Sequence, residues 1–507
     1  MAVQADAPGH LRLDEPAGRW VLVATVLGSG MAMLDATVVN IALPAIGDDL
    51  DAGLGGLQWT VNGYTLALAA LILLGGSLGD RYGRRRVFVL GISCFAVASL
   101  LCAVAPSVEL LIAARVLQGV GGALLTPGSL ALIAASFDPR DRGRAIGAWS
   151  GLGGVAGAIG PFLGGWLIEE LSWRWIFLIN LPLAAVVILL TVRHVPETVD
   201  PEAVPHLDIA GAVFGAVGLG GLTYALVGAG EGWSTTVLVS GLAGVAALFA
   251  FVVTERQSRH PMLPLDVFAS RQFTAANLVT FVVYAALSGV FFLLVLHLQV
   301  VAGFAPLLAG TALLPVTALM LVGSARAGAL AERIGPRLLM TLGPLVSAFG
   351  LLLMLRIGPD ASYAGDVLPA VAVFGLGLTL TVAPLTTTVL AAASTRHAGV
   401  ASGVNNAVAR VAGLLAVAVL PLLTGLSTDS YRDPSAFAEA FDVAMLVCAG
   451  LLAAGAALSA ISIRNDLRPS AGAAQAAAAE GVERRSYCPV DGPPLSAAAP
   501  GYDYRRG

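Results

Sequence analysis

The residues that could carry chemistry in this chain are four ionisable side chains embedded in long apolar runs. Asp35 is the carboxylate deep in such a run, Arg115 and Arg410 are the deep cations, and His297 is the deep histidine. If the runs cross a membrane, an ionisable group at mid-depth costs about 2.5–3.5 kcal/mol on insertion scales, so it is functional by default. The expected chemistry is proton binding or the orientation of a polar ligand.

Asp35 and Arg115 have similar depths along their predicted helices. Asp35 precedes Pro44 by nine residues, about 13 Å from the outer end of its helix, and Arg115 lies about 10 Å from the same side. A low dielectric favours the neutral carboxyl, whereas a nearby cation favours the carboxylate. An Arg115 that approaches and withdraws would therefore make Asp35 bind and release a proton. A static buried ion pair is the alternative.

The two other deep ionisable residues each allow two interpretations. Arg410 follows Asn405 and Asn406 and could orient a substrate or close a pathway, but a purely structural role fits equally well. His297 could titrate near neutral pH, although a lone histidine in an apolar helix is more often a hydrogen-bonded packing residue.

The composition predicts that these residues belong to a membrane-embedded protein. Of 507 residues, 57% are hydrophobic and 12% charged, and the mean hydropathy is +0.84. Soluble domains carry about 25% charged residues. Fourteen apolar segments approach the roughly 20 residues that a transmembrane helix needs. Their approximate limits are 20–44, 57–78, 87–105, 108–135, 145–168, 175–192, 209–228, 236–254, 273–300, 307–331, 338–356, 367–391, 399–423 and 440–463.

The arginines predict the orientation and exclude several classes of protein. With the N-terminus inside, 22 arginines fall on the inner side and 3 on the outer side, so both termini should be cytoplasmic.

All 28 basic residues are arginine, which excludes a P-loop because it requires lysine. The basic residues form short groups beside the segments, which does not support nucleic-acid binding. The cysteines and histidines form no metal-binding pattern, and no cleavable signal peptide is evident.

Two inner loops repeat one pattern at an offset of 252 residues. The stretch 76–85 (GSLGDRYGRR) matches 328–337 (GALAERIGPR) in glycine, leucine, acid and arginine positions. Segments 1–6 and 9–14 are therefore predicted to be two parallel copies of one unit, an arrangement typical of secondary transporters. The predicted division is a cytoplasmic N-terminal segment (1–19), an N-terminal six-helix bundle (20–192), two inserted helices with flanking loops (193–272), a C-terminal six-helix bundle (273–463) and a disordered cytoplasmic tail (464–507).

The repeated loop predicts a turn with ion pairs at the cytoplasmic rim. Gly83 permits a tight turn, and Asp80 can cap the next helix or pair with nearby arginines. Such pairs could hold one conformation closed, or the arginines could only set the topology. The candidate gate residues are Gly76, Asp80, Arg81, Gly83, Arg84, Arg85, Glu332, Arg333, Gly335 and Arg337.

Segment 5 predicts tight packing and a bend. It holds eight glycines between Gly147 and Gly165 and a proline, Pro161. Glycines at near-helical spacing let backbones approach, and proline removes a helical hydrogen bond.

Taken together, these motifs resemble the 14-helix drug:proton antiporter branch of the major facilitator superfamily, of the EmrB/QacA type. The resemblance covers most of residues 20–465. It rests on LDATVVNIALP from Leu34 to Pro44, the loop 76–86, RVLQGVG from Arg115, and WRWIFLINLP from Trp173. It rests also on the motif that marks exporters over importers, here formed by Gly157, Gly160, Pro161, Gly164 and Gly165. Ala156 stands where that motif usually has glycine, and His297 where tyrosine is common.

The resemblance implies an all-α polytopic membrane protein with two six-helix bundles, two inserted helices and both termini inside. It implies a monomeric exporter in the bacterial inner membrane, which exchanges protons for amphipathic drugs, dyes or antibiotics without a cofactor and without catalysing a reaction. A dedicated exporter of one host metabolite and, less favoured, an importer remain alternatives.

The candidate proton-coupling residues are Asp35 and Arg115. Candidate substrate-cavity residues are Asn40, Gln58, Trp59, Asn62, Tyr64, Gln118, His297, Gln299, Asn405, Asn406 and Arg410. For Trp59, an anchor at the membrane interface is the alternative.

Overall fold

Long apolar helices make up nearly all of the computed structural model. The structure describes residues 11–200, 207–258, 261–392, 398–427, 431 and 433–465. The predicted N-terminal segment is described only from residue 11, and the predicted tail lies outside the described residues from 466 onward. The helices are α1 (Pro16–Asp49), α2 (Leu54–Tyr82), α3 (Arg84–Ala103), α4 (Val108–Ser136), α5 (Pro139–Glu170), α6 (Trp175–Leu178), α7 (Asn180–His194), α8 (Ile209–Glu231), α9 (Thr235–Gln257), α10 (Arg271–Val300), α11 (Pro306–Thr311), α12 (Leu314–Ile334), α13 (Pro336–Met354), α14 (Leu368–Ala392), α15 (Ala398–Thr424) and α16 (Pro434–Ser462).

These helices correspond to the fourteen predicted segments. Within the described residues, thirteen helical segments are long and apolar enough to cross a membrane. The two short helices α6 and α11 continue into α7 and α12 and form one segment with each. The remaining segment is α5, 32 residues long, in which glycines replace many of the large apolar side chains. The structure extends the ends by several residues; α1, predicted as 20–44, spans Pro16–Asp49.

Helix packing forms two bundles and an inserted hairpin. In the N-terminal bundle α4 packs on α2 and α3, and α1 on α5 and α7; in the C-terminal bundle α10 packs on α15 and α16, and α14 on α12 and α13. The inserted helices α8 and α9 pack mainly on each other, while α8 also touches α2 and α15. The predicted two bundles with two inserted helices are thus confirmed, whereas the exact domain limits stay a prediction.

The apolar core joins the bundles at their outer ends. One buried cluster combines outer residues of the first bundle, such as Ile46 and Leu57, with much of the second bundle, including Phe441 and Leu420. A smaller cluster around Phe88 and Phe137 lies within the inner half of the first bundle. The two halves are therefore closed against each other on the outer side.

The two repeated inner loops adopt the same local structure. Gly83 ends α2 with φ of +109°, and Gly335 ends α12 with φ of +88°. In the first loop the backbone N–H of Arg85 donates to Glu197, which follows α7, at 3.1 Å. In the second, the backbone N–H of Arg337 donates to Asn465, which follows α16, at 3.2 Å. The duplication read from the sequence thus extends to the docking of each loop on the segment after its bundle's last helix.

We expect Gly83→Ala and Gly335→Ala to lower the free energy of unfolding by about 1–3 kcal/mol each, because both backbones lie where a β-carbon is strained. That carbon would also collide with the Glu197 carboxylate in one loop and with the Asn465 side chain in the other. Thermal unfolding of the purified variants measures the loss. Gly79→Ala is the matched control, since its β-carbon would lie 3.9 Å from the nearest described neighbour, Arg84. Equal melting temperatures for all three variants would contradict the expectation.

Candidate functional site

Asp35 of α1 and Arg115 of α4 form a fully buried ion pair. Both residues are 1% exposed. The Arg115 Nη1 donates to Asp35 Oδ2 at 2.5 Å. The similar depths predicted for these residues are therefore reflected in a direct contact.

The pair is the centre of a hydrogen-bonded network inside the first bundle. Gln118, one turn after Arg115, accepts from the guanidinium through Oε1 at 2.5 Å and donates through Nε2 to Asp35 Oδ1 at 2.7 Å. Asn180, at the start of α7, also donates to Asp35 Oδ1 at 3.1 Å. Ser99 of α3 accepts from both amides, at 2.8 and 3.2 Å. Four helices thus fix the position of one carboxylate.

Arg115 has further partners that do not depend on Asp35. Its Nε donates to the backbone carbonyl of Thr60 at 3.1 Å. Its guanidinium lies over the ring of Tyr64, 4.5 Å from the centroid, and 5.8 Å from that of Phe177. Aromatic faces stabilise a desolvated cation. A proton that neutralised Asp35 would therefore leave Arg115 with other contacts, which is the property that a proton-dependent switch requires.

Sequence reasoning missed Asn180, Ser99 and Thr60 as members of this network. Asn180 stands in an apolar segment, so its type was a usable signal. Ser99 and the Thr60 carbonyl gave none, because hydroxyl residues and backbone carbonyls occur throughout membrane helices.

A cavity of about 90 Å³ lies between the two bundles. Phe291, Val295 and Val316 supply much of its apolar wall, and polar atoms come from Thr37, Asn40 and Thr317. The remaining lining residues are Gly157, Pro161 and Leu313. The cavity meets α1 at Thr37 and Asn40, within two turns of Asp35 along the helix.

The polar wall of the cavity is rich in hydrogen-bond acceptors. Asn40 Oδ1 is buried and has no partner. Pro161 has no N–H, so the carbonyl of Gly157, four residues earlier, loses its helical donor. Thr37 donates its hydroxyl to the backbone carbonyl of Leu34 at 2.9 Å, which leaves oxygen lone pairs available. A ligand with hydrogen-bond donors would satisfy these groups.

The glycines of the predicted antiporter motif bring α5 against its neighbours. A β-carbon on Gly160 would collide with Thr37, and one on Gly164 would lie 2.6 Å from Val38. On Gly165 it would lie 2.6 Å from the Leu307 backbone, across the boundary between the bundles. Gly157 has open space there and lines the cavity. The motif therefore builds both the contact with α1 and part of the cavity.

The structure places four predicted cavity residues elsewhere. Gln58 donates to the backbone carbonyl of Val417 at 2.7 Å, and Gln299 donates to that of Ile41 at 3.1 Å. Both bonds join the two bundles. Tyr64 and Gln118 belong to the Asp35 network described above. In this conformation the four side chains close the outer side or position Asp35, and their contact with a ligand stays a prediction.

Trp59 and His297 pack against neighbouring helices and do not line the cavity between the bundles. The Trp59 ring lies 6.3 Å from that of Tyr224 on the inserted helix α8. His297 is 1% exposed, stacks on Phe441 with 3.9 Å between ring centroids, and approaches the Ile357 carbonyl with Nε2 at 2.7 Å. That carbonyl can only accept, so Nε2 carries the proton, as in the packing alternative.

The remaining polar candidates lie on α2 and α15. Asn405 donates to Asn277 and Thr280 within the second bundle, at 3.2 and 2.7 Å. Asn406 accepts from Arg410 at 3.4 Å. Asn62 is completely buried, and neither of its amide atoms has a partner. Of the eleven predicted cavity residues, only Asn40 lines the cavity between the bundles.

The first inner loop forms its ion pairs within its own half. Asp80 pairs with Arg84 at 2.7 Å, and Glu197 lies 3.7 Å from Arg85 and 3.6 Å from Arg86. Arg81 lies over the ring of Tyr82, and Gly76 meets only Pro127 at the position of a β-carbon. In the second loop Glu332 and Arg333 are exposed. These contacts tie the first loop to the segment after α7, and a gating role stays a prediction.

Residues 25–417 match the model of the Major Facilitator Superfamily. The chain belongs to this superfamily. The resemblance noted from the motifs is thereby confirmed, and so is an integral, multi-pass protein of the bacterial inner membrane.

Relatives within the superfamily include drug-resistance proteins. The chain is 37% identical to the methylenomycin A resistance protein of Bacillus subtilis (strain 168), over 81% of this chain and 88% of that protein. It is 36% identical to the multidrug resistance protein Stp of Mycobacterium tuberculosis (strain CDC 1551 / Oshkosh), over 79% and 74%. It is 35% identical to the tetracenomycin C resistance and export protein of Streptomyces glaucescens, over 79% and 75%.

Solved structures of superfamily members share the fold. The inward-open xylose transporter XylE from E. coli aligns with a TM-score of 0.61 and 14% identity, over 90% of this chain and 99% of that one. A bacterial homologue of the human lysosomal transporter Spinster aligns with a TM-score of 0.61 and 18% identity, over 90% and 98%. Both comparisons support the two-bundle major facilitator fold.

Proposed function

We propose that this protein is a proton-coupled exporter of amphipathic drugs or antibiotics. The export of drugs is supported by relatives that are named for resistance to methylenomycin A and for resistance to and export of tetracenomycin C. Coupling to protons rests on one observation, the buried Asp35–Arg115 pair in a bundle that borders the cavity. The proton gradient supplies the energy, and the protein acts as a monomer without a cofactor.

The proposed cycle uses the two bundles as the moving units. The outer side is closed by hydrogen bonds from Gln58 and Gln299 to the opposite bundle. A substrate enters the cavity from the inner side or the membrane. A proton that reaches Asp35 from outside, in the alternate state, weakens its attraction to Arg115, and its release to the cytoplasm restores the pair described here.

The cavity favours substrates that are largely apolar and donate hydrogen bonds. Its aromatic wall, Phe291, suits a flat ligand, and its polar atoms are mostly acceptors. No carboxylate lies among its lining residues. Uncharged or singly charged amphipathic compounds fit these surroundings better than multiply charged cations do.

Everted membrane vesicles test the proposal. With the lumen more acidic than the medium, a fluorescent amphipathic substrate should accumulate as protons leave, and its addition should make the lumen more alkaline. A protonophore should abolish both effects. Accumulation that persists without a gradient would overturn proton coupling, and gradient-driven uptake in the opposite direction would favour an importer. Activity toward a single compound class would favour a dedicated exporter.

We expect Gly157→Leu to reduce drug export by about tenfold or more, a loss of about 1.4 kcal/mol in substrate binding. Its side chain would fill the cavity, while the space around Gly157 lets the helix accommodate it. Vesicle uptake at equal protein level measures the effect. Gly147→Leu is the matched control, since it also has open space on α5 but does not line the cavity. Normal export by Gly157→Leu would remove this cavity from the transport path.

A further inference from the structure

Two acidic side chains meet at the inner end of the inserted hairpin. Asp208 precedes α8, and Glu255 lies in the last turn of α9. Glu255 is only 3% exposed. The two carboxyl groups converge on Gly211, where one added β-carbon would touch an oxygen of each. A buried carboxyl–carboxyl contact needs a physical explanation, because two carboxylates repel each other.

Each carboxyl group uses one oxygen in an ordinary hydrogen bond. Asp208 Oδ1 accepts from the backbone N–H of Gly211 at 2.7 Å and caps α8. Glu255 Oε2 accepts from the backbone N–H of Leu263 at 2.9 Å. The other two oxygens, Asp208 Oδ2 and Glu255 Oε1, are buried and have no donor. Both lie against Gly211, where a β-carbon would be 2.9 and 2.7 Å from them.

In the part of the chain that the structure describes, no cation is bonded to these oxygens. Among described residues, Arg256 and Asp266 are exposed, Asp80 pairs with Arg84, Arg81 lies over Tyr82, and Arg410 is bonded to Asn406. His206, Arg259 and His260 lie outside the described residues. A single proton between Oδ2 and Oε1 would remove one negative charge and supply the missing donor. When two carboxyl groups share a site, one of them is held protonated.

We propose that Asp208 and Glu255 together bind one proton, at a site on the inserted helices that is separate from Asp35. The proton is exchanged with the cytoplasmic side. When bound, it completes an O–H···O⁻ hydrogen bond between the two carboxyl groups. The site joins α8, α9 and the loop that leads through Leu263 to α10. Loss of the proton at high pH would leave two adjacent buried charges and loosen that connection.

Infrared spectroscopy of the purified protein tests the proposal without relying on transport. The native protein should show a protonated-carboxyl C=O band near neutral pH, which disappears as the pH is raised. Glu255→Gln and Asp208→Asn should each lose this band. Asn caps helices as well as Asp does, so Asp208→Asn preserves the fold should Glu255→Gln misfold. Glu231→Gln, at the exposed outer end of α8, should keep the band.

Thermal unfolding supplies a second measurement. Between neutral and alkaline pH, the melting temperature of the native protein should fall by more than that of Glu255→Gln, in which an amide can donate to the Asp208 carboxylate at either pH. A carboxyl band that is identical in native protein and Glu255→Gln would overturn the proposal. So would ionised carboxylates at neutral pH, as expected if a metal cation occupied the site.

Discussion

Asp35→Asn is expected to reduce proton-driven drug accumulation in everted vesicles to the background of empty membranes while leaving substrate binding intact. Asn has nearly the shape of Asp and can still accept from Gln118 and Asn180, which donate to Asp35 Oδ1 in the native protein. It cannot exchange a proton. The measurements are gradient-driven uptake and substrate binding by the same purified protein.

The stability of this variant has to be separated from its coupling. Removing one partner of a buried ion pair typically costs about 3–5 kcal/mol, because the other charge remains uncompensated. Arg115 is 1% exposed, so Asp35→Asn alone is expected to be less stable. The double variant Asp35→Asn with Arg115→Gln removes both charges. It should recover much of the stability but none of the gradient-driven uptake.

A carboxylate on the same helix provides the control. Asp48 is exposed at the outer end of α1, and Asp48→Asn should transport normally. If Asp35→Asn transported at the native rate, the proton would have to bind elsewhere, and the Asp208–Glu255 site would become the next candidate. Failure of both sites would remove proton coupling from the proposed function without affecting the family assignment.

Gly165→Ala is expected to destabilise the closed state of the outer side. Its methyl group would lie 2.6 Å from the Pro306 carbonyl oxygen and the Leu307 Cα, which are backbone atoms of the opposite bundle. The contact is reciprocal, since a β-carbon on Gly310 would collide with the Pro161 carbonyl. Backbone atoms cannot rotate away, and overpacking of this kind costs about 1–3 kcal/mol. The population of the closed state should therefore fall by about 5- to 150-fold.

Spin-label distances can measure this shift. Labels at Asp48 and Ala305, on the outer ends of opposite bundles, should report a longer mean distance in Gly165→Ala than in the native protein. Export should fall in parallel. Gly147→Ala on the same helix, which meets no neighbour within 4 Å, should leave distance and export unchanged. An unaltered distance in Gly165→Ala would show that the contact between α5 and α11 yields easily.

The sequence was most informative where a residue is of an unusual type for its segment, such as a charged side chain in an apolar helix. A carboxylate and an arginine inside apolar runs were enough to anticipate the contact between Asp35 and Arg115, because helix geometry converts position into depth. Likewise, Gly83 predicted a tight turn, and the repeated motif placed Gly335 at the matching position. In both cases the signal that allows the prediction lies in the local sequence.

Contacts between distant segments were not predictable in this way. Gln58 and Gln299 looked like ligand-binding groups, but their partners are backbone carbonyls in the other bundle, which no local pattern reveals. Asp208 and Glu255 lie at the ends of apolar segments, where charges are ordinary, so only the packing of α8 on α9 reveals that they meet. The position of the cavity could not be predicted for the same reason, since its lining residues come from both halves.

The outer closure has a consequence for how this protein can change over generations. Gln58, Gln299 and Tyr431 each donate from a side chain to a main-chain carbonyl, those of Val417, Ile41 and Ala52 respectively. Almost any amino acid at the accepting position still presents the same carbonyl. Each of these hydrogen bonds therefore depends on the identity of one residue rather than of two. A mutation at the accepting position requires no compensating mutation in the other half of the molecule. The residues that line the cavity can consequently change to accept new compounds, while the hydrogen bonds that close the outer side are retained.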